Sequence, residues 1–149
     1  MTIGFDTNIL IYSAHADEGE KHRQAVALIA RAVIAGRCIL TLQALGEFYH
    51  ATTRKLRFPP ETAYGYVSRW QAAVPVQQAS PEDLAAAHAA VTGHGLSFWD
   101  ALIWATSRRA GVSLLLSEDF QHGRTLDGVT FANPFQPETA ALIDREIGV

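Results

Sequence analysis

Apolar residues recur at helical spacing from His22 to Ala35, where Ala25, Leu28, Ile29, Ala32 and Val33 share one face. That spacing predicts an amphipathic helix, with Gly36 as its stop. Gln43 to Leu56 repeats the pattern through Leu45, Phe48, Tyr49 and Thr52, until Pro59-Pro60 breaks it. Further helices are predicted over Asn8–Ala14, Glu61–Ala73 and Trp99–Ala110, the last ended by Gly111. Ser80-Pro81-Glu82-Asp83 reads as a helix start, with Ser80 as N-cap and Pro81 in the first turn. That helix should run to about Thr92, with Gly93-His94-Gly95 as a loop. Between the helices lie short apolar runs, Thr2–Asp6, Cys38–Leu42, Pro75–Ala79, Ser113–Leu116 and Val129–Ala132, which predict strands.

The strand runs are continuous rather than alternating, as in parallel strands covered on both faces. Strands interleaved with helices predict a three-layer α/β/α sandwich with a central, mostly parallel sheet. With 149 residues, 48% of them hydrophobic, one domain is expected. No repeat or linker divides the chain.

Composition narrows the setting. The single cysteine, Cys38, lies in an apolar run and reads as a small buried hydrophobe. An intrachain disulfide is excluded, which suits a reducing compartment. No basic stretch precedes an apolar run near the start, and no apolar stretch approaches the roughly 18 residues of a membrane span. The expectation is a cytoplasmic protein. The net charge of −3 is not that of a general nucleic-acid binder, so any such contact must come from local basic patches. Candidates are Arg54-Lys55-x-Arg57, Arg108-Arg109 and Arg124.

Four acids stand inside or beside apolar runs: Asp6, Glu47, Asp100 and Asp119. In an α/β sheet, ligands bind beyond the C-terminal ends of the strands. Asp6 ends the first strand, Asp119 follows Ser113–Leu116, Glu47 is one turn into the helix after the second strand, and Asp100 opens a helix. All four can face one edge. Two carboxylates about 5 Å apart repel by roughly 3 kcal/mol at an effective dielectric near 20. Four together need protons or a hard cation with oxygen ligands, such as Mg²⁺ or Mn²⁺. Phosphodiester hydrolysis is the chemistry such a site does best.

Each acid also has an ordinary reading. Asp6 could cap the helix that follows it. Ser97 and Asp100 have the spacing of a capping box, and Asp119 could serve a turn. Glu47 has Gln43 and Ala51 at helical spacing, so no ion pair of that kind explains it. The histidines show no zinc-ligand spacing, and His94 and His122 are expected in loops. Neither a Walker-type phosphate loop nor a Gly-x-Ser-x-Gly elbow is present.

Taken together, Phe-Asp-Thr-Asn-Ile-Leu, Leu-Gly-Glu-Phe-Tyr, Ser-Phe-Trp-Asp-Ala-Leu-Ile-Trp-Ala and Leu-Leu-Ser-Glu-Asp-Phe-Gln-His-Gly resemble the PIN-domain nucleases. Within them the chain looks most like the VapC-type ribonuclease toxins of toxin–antitoxin modules. The resemblance spans about Ile3 to Phe135. It implies an acidic quartet of Asp6, Glu47, Asp100 and Asp119, with Asp6 and Asp100 holding Mg²⁺ most directly. It implies supporting roles for Thr7, Asn8 and Ser117. It further implies cleavage of tRNA or rRNA, a homodimer, and a cognate antitoxin. Arg108, Arg109 and Arg124 are the basic side chains available for RNA. Residues 1–135 would form the nuclease domain, and 136–149 an extension carrying a helix over Pro137–Ile147.

Two other classes remain in view. A receiver-like or haloacid-phosphatase-like domain also places acids at strand ends, but needs a late lysine, and only Lys21 and Lys55 exist. A catalytically silent interaction module would not need all four acids.

An antitoxin helix would be expected in a groove around Ile9–Tyr12 and the face of Leu45–Thr52. An arginine of its disordered segment would reach the acids.

Overall fold

The computed structural model describes residues 2–148. The elements run β1 (Thr2–Phe5), α1 (Thr7–Ala14), α2 (Glu20–Ile34), β2 (Leu40–Thr41), α3 (Leu42–Arg54) and α4 (Pro60–Ala73). They continue β3 (Val76–Gln77), α5 (Pro81–His94), α6 (Phe98–Arg109), β4 (Val112–Leu116), β5 (Thr125–Leu126), β6 (Val129–Ala132) and α7 (Thr139–Ile147).

The sheet order is β1-β4-β6-β5, with β1, β4 and β6 parallel and β5 antiparallel to β6. On its other side β1 bridges Cys38 through Ile3, and the Ile39 amide donates to the Ile3 carbonyl at 3.0 Å. This bridge brings in the parallel pair of β2 and β3. The chain therefore builds one side of β1 first, through α1 to β3, and the other side later, through α5 and α6 to β4. The order reverses between β1 and β4, where such sheets leave a crevice for ligand.

Two cores lie on opposite faces. Ile3, Phe5, Leu114 and Leu116 point toward α1–α4 and α7, where Ile9, Leu45, Phe48 and Ile143 are buried. Leu115, Val129 and Phe131 point toward α5 and α6, against Ala87, Ala90, Ile103 and Trp104. Gly4 is tight in this layer, because a Cβ there would stand 3.3 Å from Leu115 and Val112 side-chain atoms. The predicted α/β/α sandwich is observed.

Several boundaries differ from expectation. Leu42 opens α3 rather than closing β2, because the Thr41 hydroxyl caps the helix by accepting from the Ala44 amide at 3.1 Å. The α5 helix takes in Gly93 and His94 and stops at Gly95, in the left-handed conformation at φ 72°. The β5–β6 hairpin is absent from the sequence reading. Its signal was Asp127-Gly128, whose φ angles of 46° and 80° give the tight turn that a two-residue hairpin needs. Among the described residues, no helix is long and apolar enough to cross a membrane. Cys38 is buried, and burial pushes its thiol up to about 12.

Candidate active site

Asp6 leaves β1 at the crevice and is buried, with 4% of its surface exposed. Its amide completes the sheet by donating to the Leu116 carbonyl at 2.9 Å. One carboxylate oxygen accepts from the Thr7 amide at 2.7 Å, which makes Asp6 the N-cap of α1. The other accepts from the Ser117 hydroxyl at 2.7 Å, at the end of β4. Capping and site-building are thus both properties of this side chain. Ser117 Oγ in turn accepts from the Asp119 amide at 3.0 Å and the Asn8 side-chain amide at 3.4 Å.

Glu47 joins from α3. The Thr7 hydroxyl donates to its Oε2 at 2.8 Å, and Gln43 Nε2 donates to its Oε1 at 2.7 Å. Gln43 Nε2 also donates to the Trp99 carbonyl at 3.0 Å, which ties α3 to the first turn of α6 beside Asp100. Gln43 is a site residue that the sequence reading passed over, although its place four residues before Glu47 was the available signal.

Asp100 and Asp119 line one cleft of about 300 Å³ with Arg124, His94, Ser97 and Phe120. The capping box expected at Ser97 does not form, since Ser97 makes no side-chain cap bond. It forms at Ser80, where Asp83 and Ser80 cap each other.

Electrostatics mark the site. Burial, then the charges of Asp100 and Asp119, raise the Asp6 carboxyl to about 6 against the pull of Ser117 and Thr7. Burial likewise raises Asp100, with Asp119 and Glu47 adding to the shift and the Ser97 hydroxyl opposing it. Asp119 thus acts on both Asp6 and Asp100, and Glu47 on Asp100. Among the described residues the predicted quartet is not a ready-made cage, because no three His, Cys, Asp or Glu side chains stand in metal-holding geometry. Like charges keep apart, and Asp6 and Glu47 take hydroxyl and N–H donors instead. Asn8 Oδ1 and Gln43 Oε1 are buried there without hydrogen-bond partners. A set of carboxylate, hydroxyl and amide oxygens, two of them unfilled, fits a hard, partly hydrated divalent cation.

The basic candidates separate. Arg109 is spent on Asp83, with Nε at 2.9 and 3.0 Å and Nη2 at 2.9 Å from its oxygens, and also donates to the Gln78 carbonyl. Arg108 pairs with Asp127 at 3.1 Å and lies over Trp104. Arg124 alone of the three lines the cleft with Asp100 and Asp119, donating to the His94 carbonyl at 3.0 Å.

The groove expected between α1 and α3 is closed, because Ile9, Leu10, Leu45, Phe48 and Thr52 are buried there. An open apolar groove lies one helix further, between α3 and α4, lined by Leu42, Tyr49, Tyr64 and Val67.

The PIN-domain profile matches residues 3–125. The chain belongs to the PIN-domain family. Solved structures agree on the fold. VapC20 of Mycobacterium tuberculosis, described as a Sarcin-Ricin loop cleaving toxin, is 20% identical, with a TM-score of 0.64 over 76% of this chain and 87% of that one. A toxin–antitoxin complex from Klebsiella pneumoniae gives 20% identity and a TM-score of 0.62 over 91% and 99%. DNA-bound VapBC from Salmonella typhimurium gives 15% and 0.63 over 90% and 98%. None of the curated proteins matches this PIN domain.

Proposed function

We propose that this PIN domain is an Mg²⁺-dependent endoribonuclease acting as the toxin of a toxin–antitoxin pair. The observation that carries the reading is Asp6. It is a buried carboxylate held by a hydroxyl and an amide, facing two other acids, and among the described residues no basic side chain is bonded to it. Such a group is poised for a cation.

Asp6 and Asp100 would hold the ion, with Glu47 and Asp119 completing the set. Mn²⁺ would substitute. When bound, such an ion lowers the pKa of water and offsets charge on phosphate oxygens. The protein's own part is orientation. Ser117 and Thr7 fix the two Asp6 oxygens, while Thr7 and Gln43 fix those of Glu47. Asn8 supports Ser117. Arg124 would grip an RNA phosphate at the rim of the cleft, as a positioning contact.

The partners follow the same reading. VapBC of Salmonella typhimurium is a solved complex, and a cognate antitoxin is proposed here. The groove between α3 and α4, where Leu42 is 45% and Tyr64 57% exposed, suits an amphipathic antitoxin helix. A homodimer working in the cytoplasm, on tRNA or rRNA, completes the proposal.

The test is cleavage of total RNA with Mg²⁺, with excess EDTA, and with Mn²⁺ or Ca²⁺ added back. Cleavage should need Mg²⁺ or Mn²⁺, while Ca²⁺ should bind yet support little turnover. Undiminished cleavage in EDTA would refute the cation role. Co-expression with the neighbouring small reading frame should restore growth and yield a complex. If it does neither, the toxin–antitoxin label falls and the nuclease remains.

A further inference from the structure

The first turn of α6 presents two aromatic rings to solvent. Trp99 is 62% exposed and Phe98 36%, and their centroids lie 4.9 Å apart at 75°. Neither ring belongs to either core. From Ala101 to Ser107 the same helix is buried throughout, so its exposed aromatics are confined to this one turn.

That turn is tied to the acids. Trp99 directly precedes Asp100, and its carbonyl accepts from Gln43, the side chain that also holds Glu47. The residue before the pair, Ser97, lines the cleft with Asp100 and Arg124. The rings are therefore held at a set place relative to the carboxylates.

Charge points to what they bind. The protein carries a net −3, and both arginines of α6, the helix that bears the rings, are committed, Arg108 to Asp127 and Arg109 to Asp83. A polyanion gains little here from the electrostatic attraction that supplies most nucleic-acid affinity. Uncharged contact must supply the rest. Stacking of a base on an aromatic face does so without sequence preference.

We propose that Phe98 and Trp99 form a stacking platform for an unpaired nucleobase next to the scissile phosphate. Bases inside a duplex have both faces covered by neighbours and cannot reach it. The platform selects RNA that is unpaired at the cut, while Arg124 takes a phosphate in the adjoining cleft. This deepens the ribonuclease reading and rests on it for the word scissile only.

The experiment uses a short, unstructured oligoribonucleotide of mixed sequence, its duplex with the complementary strand, and protein in excess EDTA, so that binding is read without turnover. Trp104 is buried and bonded to the Leu126 carbonyl, and Trp70 packs on Phe48 in the opposite layer, so a change in emission on binding is dominated by Trp99. The single strand should change the emission, and the duplex should not. Trp99→Ala should weaken single-strand binding roughly tenfold to a hundredfold. Trp99→Phe should keep most of the binding and lose the emission change, which separates stacking from a folding defect. In cleavage, Trp99→Ala should raise KM by a larger factor than it lowers kcat.

Binding within twofold of wild type in a folded Trp99→Ala protein would overturn the platform. So would equal binding of duplex and single strand. Emission that changes with protein concentration or with an added antitoxin, but not with RNA, would reassign these rings to a protein interface. Asp100→Asn keeps the two readings apart. If no variant or ion condition gives cleavage while the emission change persists, the platform stands and the nuclease falls.

Discussion

Two buried aspartates cap helices in this protein, and they are handled in opposite ways. Asp83 is 1% exposed, shares a reciprocal capping box with Ser80, and meets the Arg109 guanidinium along its edge. Burial would raise its pKa, but Arg109 and the Ser80 donors outweigh this and hold it below the ordinary value. Asp6 is 4% exposed and caps α1, yet its partners are one hydroxyl and one amide, and the charges acting on it are those of Asp100 and Asp119. Its pKa rises to about 6. The fold compensates the first acid internally and leaves the second to be compensated by something that binds. A buried acid without a basic partner is costly to keep, so its persistence at the sheet crevice points to function rather than stability.

The largest effect should come from removing the uncompensated acids. Asp6→Asn and Asp100→Asn should each lower RNA cleavage by three orders of magnitude or more, on the order of the contribution of charge stabilisation at a reacting phosphate. Both should remain folded by circular dichroism, and without added cation Asp6→Asn should be at least as stable as wild type. Asparagine still caps a helix, and the repulsion is gone. Wild-type cleavage rates would remove these acids from the site, and unfolding of both variants would make their role structural.

Breaking the compensated acid should do the reverse. Arg109→Ala strands the Asp83 carboxylate, and the melting temperature should drop by about 10 °C. RNA affinity of the folded protein should stay near that of wild type. A large loss of affinity at unchanged stability would return Arg109 to the RNA path.

The two acids should also give opposite pH slopes, read by denaturant titration in EDTA. Asp6 has a raised folded pKa, so its contribution is most favourable below the unfolded value near 4. It is lost as pH climbs through about 6, a change on the order of 3 kcal/mol. Asp83 has a depressed folded pKa, so its contribution is present above the unfolded value and is lost as pH falls through the folded one. Asp6→Asn should remove the loss between pH 4 and 6, and a wild-type profile that rises over that interval in EDTA would contradict the burial argument.

The smallest effect is expected at Arg124. Arg124→Ala should weaken RNA binding several-fold and flatten its salt dependence by about one phosphate contact, with little change in melting temperature. An unchanged salt slope would place the phosphate contact elsewhere.

Much of the fold was legible because its signals are local. Apolar periodicity marked α2 and α3, the Ser80-Pro81 start marked α5, and continuous apolar runs marked β1 and β4 as covered on both faces. Asp127-Gly128, at the β5–β6 turn, is an equally local signal. The acids stood out as candidates, since carboxylates rarely sit within apolar runs, and sheet topology predicts which edge they face. Their bonds were not. Thr7 to Glu47, Ser117 to Asp6 and Gln43 to the Trp99 carbonyl span 40, 111 and 56 residues. No pattern within one element encodes such contacts.

Arg109 and Arg124 show the same limit among the basic residues. In sequence each is an arginine near a helix end or in a loop. Only packing sets Arg109 against buried Asp83 and leaves Arg124 lining the cleft that holds Asp100. The sequence by itself determined most of the elements and their layering, because propensity, periodicity and residue type act over a few positions. Tertiary structure alone decided which of two buried aspartates met an arginine. A charge loses its solvation according to where the whole chain closes around it, and finds its partner there.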